Sequence, residues 1–381
     1  MRILFISNYS ALYGANRSLL TLAEHFSHTD GNEVGMMIPS KGLIRKELER
    51  LDISTLTIPY FSQLFYYKRQ LKYLALPLLA VFTVFMFPYI ILRVRRFKPD
   101  LIYSNTSAEN IGIFISKVLH VKHITHVREF MDLDHGAHFI GGNVMKKKFL
   151  SWSDGLVFVS DAVRKWVNQG EEPLANQIVV HNGVDTGCDK KPAHLQGKGV
   201  RLGIVGILDE EKGQHIAIEY FRDVLKNHPE ATLHIYGDKE GPYKKRLLEM
   251  IRKYSLENTV RMHGFVKDSK AIYLDMDIML MCSRSEGFGR VTAEAMQYGI
   301  PVIGYDSGGT SEIIEEGRNG YLFKDKEGFL KAVEQLLDSE KHYQEMSEYA
   351  FRNAHERFSK ERYCRHIQDF VTRICSSSSV S

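Results

Sequence analysis

Short apolar runs and helix-forming segments alternate along this chain, and the alternation begins twice. The first series opens with Ile3-Leu4-Phe5-Ile6 and continues at Glu33–Ile38, Leu101–Ser104, His123–Val127, Leu156–Val159 and Ile178–His181. The second restarts at Val200-Arg201-Leu202-Gly203-Ile204-Val205-Gly206 and continues at Thr232–Tyr236, Val260–His263, Ile278–Cys282, Val302–Tyr305 and Gly320–Phe323. Brief, nearly unbroken apolar runs are the mark of strands buried on both faces. Strands separated by helices pair in parallel through right-handed crossovers. The expectation is therefore an α/β chain with two parallel sheets, and 381 residues suit two domains of ordinary size. Thr186–Gly199, rich in Gly, Lys and Pro and short of large apolar side chains, reads as the linker between them.

The stretch from Ser283 to Ile314 carries the most chemistry. The apolar run Ile278–Cys282 ends just before it, Gly287-Phe288-Gly289 forms a glycine turn, and Thr292-Ala293-Glu294-Ala295-Met296 favours helix. At such a strand-turn-helix junction, backbone N–H groups and the helix dipole favour a phosphate or a sugar oxygen. Glu286 and Glu294, placed on either side of the turn, repel phosphate but accept hydrogen bonds from hydroxyls. A ligand with both a diphosphate and hydroxyl-rich rings satisfies both facts, and a nucleotide-sugar is such a ligand.

These residues resemble the signature of the retaining glycosyltransferases of family 4. Its elements appear in order as Glu286-Gly287-Phe288-Gly289, Glu294-Ala295, Gly299-Ile300-Pro301-Val302-Ile303 and Gly308-Gly309. The resemblance implies the GT-B fold: two Rossmann-like domains with parallel sheets facing a cleft. The implied division is an acceptor-side domain over 1–185, a linker over 186–199 and a nucleotide-sugar-binding domain over 200–358. A helix over 359–375 would return to the first domain, and 376–381 would be a tail. Further motifs agree. Gly206-Ile207-Leu208-Asp209-Glu210-Glu211-Lys212-Gly213 resembles a loop whose Arg and Lys clamp the donor diphosphate. Lys212 matches, but Ile207 stands where Arg is usual, so Arg201, Arg284 or Arg290 becomes a candidate substitute. Gly14-Ala15-Asn16-Arg17-Ser18 resembles the first-domain glycine loop, with Tyr13 in place of a glycine. His181-Asn182-Gly183-Val184-Asp185 resembles a structural turn. Val159–Arg164 resembles a helix start that Ser160 would cap, with Arg164 near the donor phosphates.

In the family a histidine after an apolar strand lies near sugar and acceptor, and His126 in Thr125-His126-Val127-Arg128-Glu129 matches by position. A satisfied core histidine is the competing reading. The catalytic set implied by the resemblance is thus His126, Glu286 and Lys212. The donor-binding set is Gly14, Gly206, Lys212, Glu286, Gly287, Phe288, Gly289, Arg290 and Glu294. No metal and no cofactor is implied; the donor substrate would be a UDP- or GDP-sugar. The cluster His123, His126, Asp132, Asp134, His135 and His138 matches no zinc spacing.

From Tyr73 to Leu92 there is no charged residue, and Lys68, Arg69, Lys72, Arg93, Arg95, Arg96 and Lys98 flank the stretch. Its length is near that of a membrane span. A true span conflicts with Ile3–Asn8 and Leu101–Asn105, which belong to one sheet and cannot sit on opposite sides of a bilayer. A buried helix remains open, although such a helix need not be apolar all round. The favoured expectation is a helical hairpin or in-plane helix, bent at Pro77 and Pro88, dipping into the inner leaflet with its basic flanks among anionic headgroups. The acceptor would then be a glycan or a lipid-linked saccharide.

Composition limits the alternatives. Hydrophobic content of 44% and charged content of 25% are globular, and a net charge of +4 gives no reason to invoke nucleic acid. Cys188, Cys282, Cys364 and Cys375 form no C-x-x-C pair, which suits a reducing cytoplasm. Nothing at Met1-Arg2 reads as a secretory leader. The expected protein is a hexosyltransferase of polysaccharide or glycolipid assembly, peripheral on the cytoplasmic face of the membrane. Two rivals stand beside it: a GT-B nucleotide-sugar epimerase or sugar phosphorylase, and a non-catalytic nucleotide-sugar-binding partner.

Overall fold

The computed structural model describes all residues except 61–64, 68–75, 109, 170–171, 186, 188–198 and 378–381. Most of the expected linker, the start of the uncharged stretch and the end of the tail lie outside the described residues. The chain divides into two compact units, one formed by Met1–Gly183 with Lys360–Ser381 and the other by Val184–Ser359.

The first unit contains β1 (Arg2–Ile6), β2 (Glu33–Ile38), β3 (Ser54–Thr57), β4 (Phe65–Tyr67), β5 (Leu101–Ser104), β6 (Lys122–Val127), β7 (Ala137–Phe139), β8 (Gly155–Phe158) and β9 (Gln177–Val179). Seven of these form a parallel sheet in the order β3-β2-β1-β5-β6-β8-β9, while β4 and β7 pair antiparallel apart from it. β3 and β4 escape the sequence reading because neither Ser-Thr-Leu-Thr nor Phe-Tyr-Tyr forms an aliphatic run. Alternate residues of β1 serve different cores. Ile3 and Phe5 pack with Leu19, Leu22 and Phe26 of helix Gly14–Ser27 and with Ile367, Phe370 and Ile374 of helix Lys360–Ser376. Leu4 and Ile6 pack with Ile111 and Ile115 and with Ile90 and Val94. Both faces of the sheet are covered, and this explains why its strands lack polar alternation.

The second unit contains β10 (Arg201–Val205), β11 (Thr232–Tyr236), β12 (Val260–Gly264), β13 (Ile278–Met281), β14 (Val302–Tyr305) and β15 (Gly320–Phe323). They form a parallel sheet in the order β12-β11-β10-β13-β14-β15. In each unit the strand order reverses at one place, between β1 and β5 and between β10 and β13. Ligands of such open sheets bind outside the carboxyl ends of the strands at this reversal.

The uncharged stretch forms one helix, Leu76–Phe97, that continues through Pro88 and is not broken into a hairpin. Among the described residues no helix is long and apolar enough to cross a membrane. Its two sides differ. Ile90 and Val94 are fully buried against the sheet, whereas Leu78, Val81, Phe82, Val84, Phe85, Tyr89 and Leu92 are exposed, Phe85 to 79%. The surplus of apolar residues is thus a wide stripe facing away from the unit's own core.

Two histidines of β6 set a pH limit on the first unit. His123 is fully buried between Ser104 and Ser153, and burial pushes its imidazole down to about 3. His126 is also driven well below the usual histidine range, first by burial and then by the Arg128 charge. Both stay neutral when folded, while in the unfolded chain they take up protons near pH 6.5. Above that pH neither state binds the proton and stability is unaffected. Below it, each histidine costs up to about 1.4 kcal/mol per pH unit. Urea midpoints are therefore expected to fall steadily from pH 6.5 to 4.5, and a flat profile across that range would contradict neutral burial.

Candidate active site

In the second unit the strand reversal is flanked by two loops. The loop after β10 runs from Gly206 to Gly213, and Glu210–Lys212 within it form one 3-10 turn. Gly213 ends that turn at φ +73 and begins helix Gln214–Val224. A Cβ on Gly213 would lie 2.3 Å from the carbonyl oxygen of Cys282, so only glycine lets this loop rest on the end of β13. The approach brings Lys212 against the second loop: its Nζ donates to Glu286 Oε2 at 2.8 Å. Gln214, buried, donates to the Ile207 carbonyl at 3.0 Å and fixes the start of the loop.

The second loop, Cys282–Gly289, leads into helix Arg290–Gln297. It is pinned from below by the glycine pair. Gly309 N–H donates to the Glu286 carbonyl at 2.7 Å, and a Cβ on Gly309 would lie 2.5 Å from the Gly287 oxygen and 2.6 Å from Phe288 Cα. Any other residue at 309 would push the Gly287-Phe288 backbone outward. Phe288 is buried and meets the Phe358 ring edge-on at 5.7 Å, so it anchors the turn. Gly289 takes φ +91 as the helix N-cap. One turn into the helix, both carboxylate oxygens of Glu294 are engaged: Arg290 Nε donates to Oε1 at 2.7 Å and Tyr273 Oη to Oε2 at 2.8 Å. Burial, with Glu294 adding to it, holds the Tyr273 hydroxyl well above the usual phenol range, so it stays a proton donor to Glu294. The buried hydroxyls of Ser283, Thr292 and Thr310 lack protein partners around the same turn. Cys282 is no nucleophile: burial pushes its thiol up to about 12.

The structure thus brings together Gly206, Lys212, Glu286, Gly287, Phe288, Gly289, Arg290 and Glu294 at the reversal between β10 and β13. Ile207 sits there too, 43% exposed. Of the cations considered as substitutes for an arginine at 207, Arg201 begins β10 at the opposite end of the sheet and is held by Asp277 and Asp275. Arg290 is committed to Glu294. Arg284 is exposed beside the loop with its guanidinium 5.6 Å above the Tyr305 ring. Tyr273 was not foreseen, because nothing in the sequence ties a tyrosine twenty-one residues upstream to Glu294.

In the first unit a polar cluster lies at the corresponding reversal. Gly14, exposed, opens helix Gly14–Ser27. Asn16, buried, accepts from Ser7 Oγ at 2.7 Å and donates to the Tyr9 and Ala11 carbonyls, tying the loop after β1 to the helix. Arg128, just past β6, donates to Asn105 O and Oδ1, to Asn182 Oδ1 at 2.6 Å and to Tyr363 Oη. Glu129 beside it accepts from Thr106 Oγ1 at 2.9 Å. His126 does not join this cluster. Its side chain points from the strand into the core, fully buried, with Nδ1 2.8 Å from Tyr103 Oη and its ring beside Tyr363. The resemblance placed His126 near sugar and acceptor, but its side chain is a core one, and the polar side chains just past that strand are Arg128, buried, and Glu129, half-buried. Ser160 caps helix Asp161–Asn168 by accepting from Val163 N–H, and Arg164 pairs with Asp161.

The sequence cluster around His123 and His138 assembles no metal-capable group among the described residues, and the side chains of Asp134 and His135 lie outside them. His234, His263 and Asp275 do assemble one, elsewhere in the second unit.

Comparison with known proteins covers most of the chain. Residues 13–187 match the family model described as Glycosyltransferase Family 4, and residues 189–353 match that of Glycosyl transferases group 1. Spore coat protein SA of Bacillus subtilis is 27% identical over 216 residues, 53% of each chain. Sulfoquinovosyl transferase SQD2 of Arabidopsis thaliana is 29% identical over 257 residues, 62% of this chain and 49% of that protein. The chain spans about half the length of these curated relatives. Anabaena HepE, crystallised with UDP-glucose, matches with a TM-score of 0.79 at 22% identity, over 98% of this chain and 100% of that one. At this identity the likeness shows the fold, which is GT-B.

Proposed function

The chain belongs to the family 4 glycosyltransferases, and from that premise we propose that it moves a hexose-type sugar from a nucleoside-diphosphate sugar to a glycan or lipid-linked acceptor, with retention at the anomeric carbon and without a metal. The observation that carries the reading is the pairing of Lys212 with Glu286 at the strand reversal of the second unit, one helical turn from Glu294. The binding of UDP-glucose by HepE supports a nucleotide-sugar donor of this kind.

In the proposed reaction Glu294 accepts from the ribose hydroxyls and Glu286 from a hexose hydroxyl. The Phe288 and Gly289 N–H groups fix the sugar. Lys212 and the N-terminus of helix Arg290–Gln297 face the diphosphate. As the bond from the anomeric carbon to the phosphate oxygen breaks, these fixed donors stabilise the charge that develops on the leaving group. The acceptor oxygen bonds to the anomeric carbon on the same face, and its proton passes to the departing phosphate. With His126 enclosed in the core, no proton transfer is assigned to it.

The exposed stripe of helix Leu76–Phe97 supports an acceptor at a membrane surface. Its apolar face, with Arg93 bonded to Tyr89 and exposed Arg95, Arg96 and Lys98 at one end, suits a helix lying in the headgroup plane of an anionic, cytoplasm-facing leaflet. The protein is expected to float with vesicles containing phosphatidylglycerol and not with phosphatidylcholine alone. Phe85→Asp with Leu78→Asp should reduce that binding at least about tenfold, given the apolar area withdrawn. Equal flotation of the double variant would remove the helix from the membrane contact.

The test of the activity is turnover of a panel of UDP- and GDP-sugars by the purified protein with membrane lipid extract and EDTA. Labelled lipid-soluble product from one donor is the expected result. Donor conversion without acceptor would instead mark an epimerase or phosphorylase. Binding without turnover would mark a degenerate partner, for which exposed Ile207 is the structural sign.

A further inference from the structure

The face of the second sheet that carries Thr232, His234 and Tyr236 has a cluster that the sugar-transfer chemistry does not use. His234, buried in the middle of β11, places Nδ1 3.0 Å from Asp275 Oδ2. Asp275 ends helix Ser269–Leu274, just before β13. His263 lies on the neighbouring edge strand β12, exposed, its ring 5.1 Å from that of His234 and stacked at 4.4 Å on Tyr236. One ligand atom from each of the three lies within 4.8 Å of the others.

We propose that His234, His263 and Asp275 bind a divalent transition-metal ion of the zinc or nickel class, which joins edge strand β12 to the junction between helix Ser269–Leu274 and β13. Two imidazoles and one carboxylate are the donor set that such ions prefer over Mg2+ or Ca2+. Bonds of about 2.0–2.1 Å at tetrahedral angles set neighbouring ligand atoms roughly 3.3 Å apart. His234 and Asp275 already meet that spacing. His263, exposed on an edge strand, needs a swing of roughly 1.5 Å to reach it.

The surroundings orient the ligands. His234 Nε2 lies 3.2 Å from Thr232 Oγ1, which holds the ring with Nδ1 toward Asp275. Such outer hydrogen bonds are what fix metal-ligating histidines. Arg201 binds Asp275 through Oδ1 at 3.3 Å and leaves Oδ2 to the cluster, where Tyr236 Oη donates to it at 2.7 Å and lies 3.2 Å from His234 Nδ1, the two contacts that the ion would replace. Arg201 and exposed Arg261 of β12 are the basic groups nearby that oppose a cation, and Arg201 is already neutralised by Asp277 at 2.8 Å. Asp275 lies before β13 and Glu286 after it, so the ion is at the opposite end of that strand from the donor loops. It would brace the sheet and leave sugar transfer metal-independent.

The test uses the untagged full-length protein titrated with Co2+, followed by visible absorption and by equilibrium dialysis. One Co2+ per chain with a tetrahedral absorption band is expected. His263→Gln should weaken binding at least tenfold and abolish the band. Thr232→Val should weaken it about tenfold through the lost orienting bond. His355→Gln, an exposed histidine remote in sequence, should leave the affinity unchanged. Failure of the wild-type chain to bind, or the same affinity in His263→Gln, would overturn the site whatever the sugar-transfer assay shows.

Discussion

Replacing Lys212 by alanine should lower kcat by about 10²–10³-fold while the donor dissociation constant changes far less. That is the usual cost of removing one fixed donor from a developing oxyanion. The fold should tolerate the change. Lys212 is one-third exposed, and its contact is to the side chain of Glu286, whose backbone is held separately by Gly309. Single-turnover rates, together with UDP binding by calorimetry, separate the two effects. A loss confined to donor affinity would make Lys212 a ground-state phosphate contact, and unchanged turnover would remove it from the reaction.

Glu294→Gln should weaken donor binding by about 10–100-fold, with unfolding shifted by no more than a few degrees. Two hydrogen bonds from ribose hydroxyls to a carboxylate weaken when the charge is removed, and charge-assisted bonds contribute about 1.5–3 kcal/mol each. The amide keeps an acceptor for Tyr273 and loses only the ion pair with Arg290, a contact within one helical turn. The readout is the dissociation constant for UDP beside that for UDP-sugar. Equal affinities for variant and wild type would place the ribose elsewhere.

Much of this was readable beforehand where local chemistry decides structure. β10, β13 and β14 of the second sheet are visible because they lie inside it and are buried apolar runs, whereas edge strand β12 alternates, with Arg261 and His263 exposed. The glycine turn before Arg290 was visible because its φ of +91 and the crowding under Gly309 admit glycine there. What failed did so for non-local reasons. β3 pairs at a sheet edge with a polar sequence, so its backbone is dictated by β2 and not by its own composition. His126 looked like a site residue by position, yet its side chain is enclosed by Tyr103 and Tyr363, the latter more than two hundred residues later in the chain. Tyr273 and the His234, His263 and Asp275 group become neighbours only through strand order. The long apolar segment misled differently. Its composition and two prolines allow a hairpin or an in-plane helix, and the helix is continuous through Pro88, dividing its apolar residues between the sheet and the outside.

The pairing of each donor-side carboxylate with its own cation has a kinetic consequence. Lys212 with Glu286, and Arg290 with Glu294, leave the unliganded loops close to electrically neutral. Such a surface exerts little long-range pull on a dianionic nucleotide, so capture depends on contact and not on steering. Entry of the donor is an exchange of counterions in which phosphate takes the ammonium and guanidinium groups while the sugar and ribose hydroxyls take the released carboxylates. A bare inorganic diphosphate can make only the first half of that exchange. Discrimination for an intact nucleotide-sugar over the anion it contains is therefore wired into the resting state of the site.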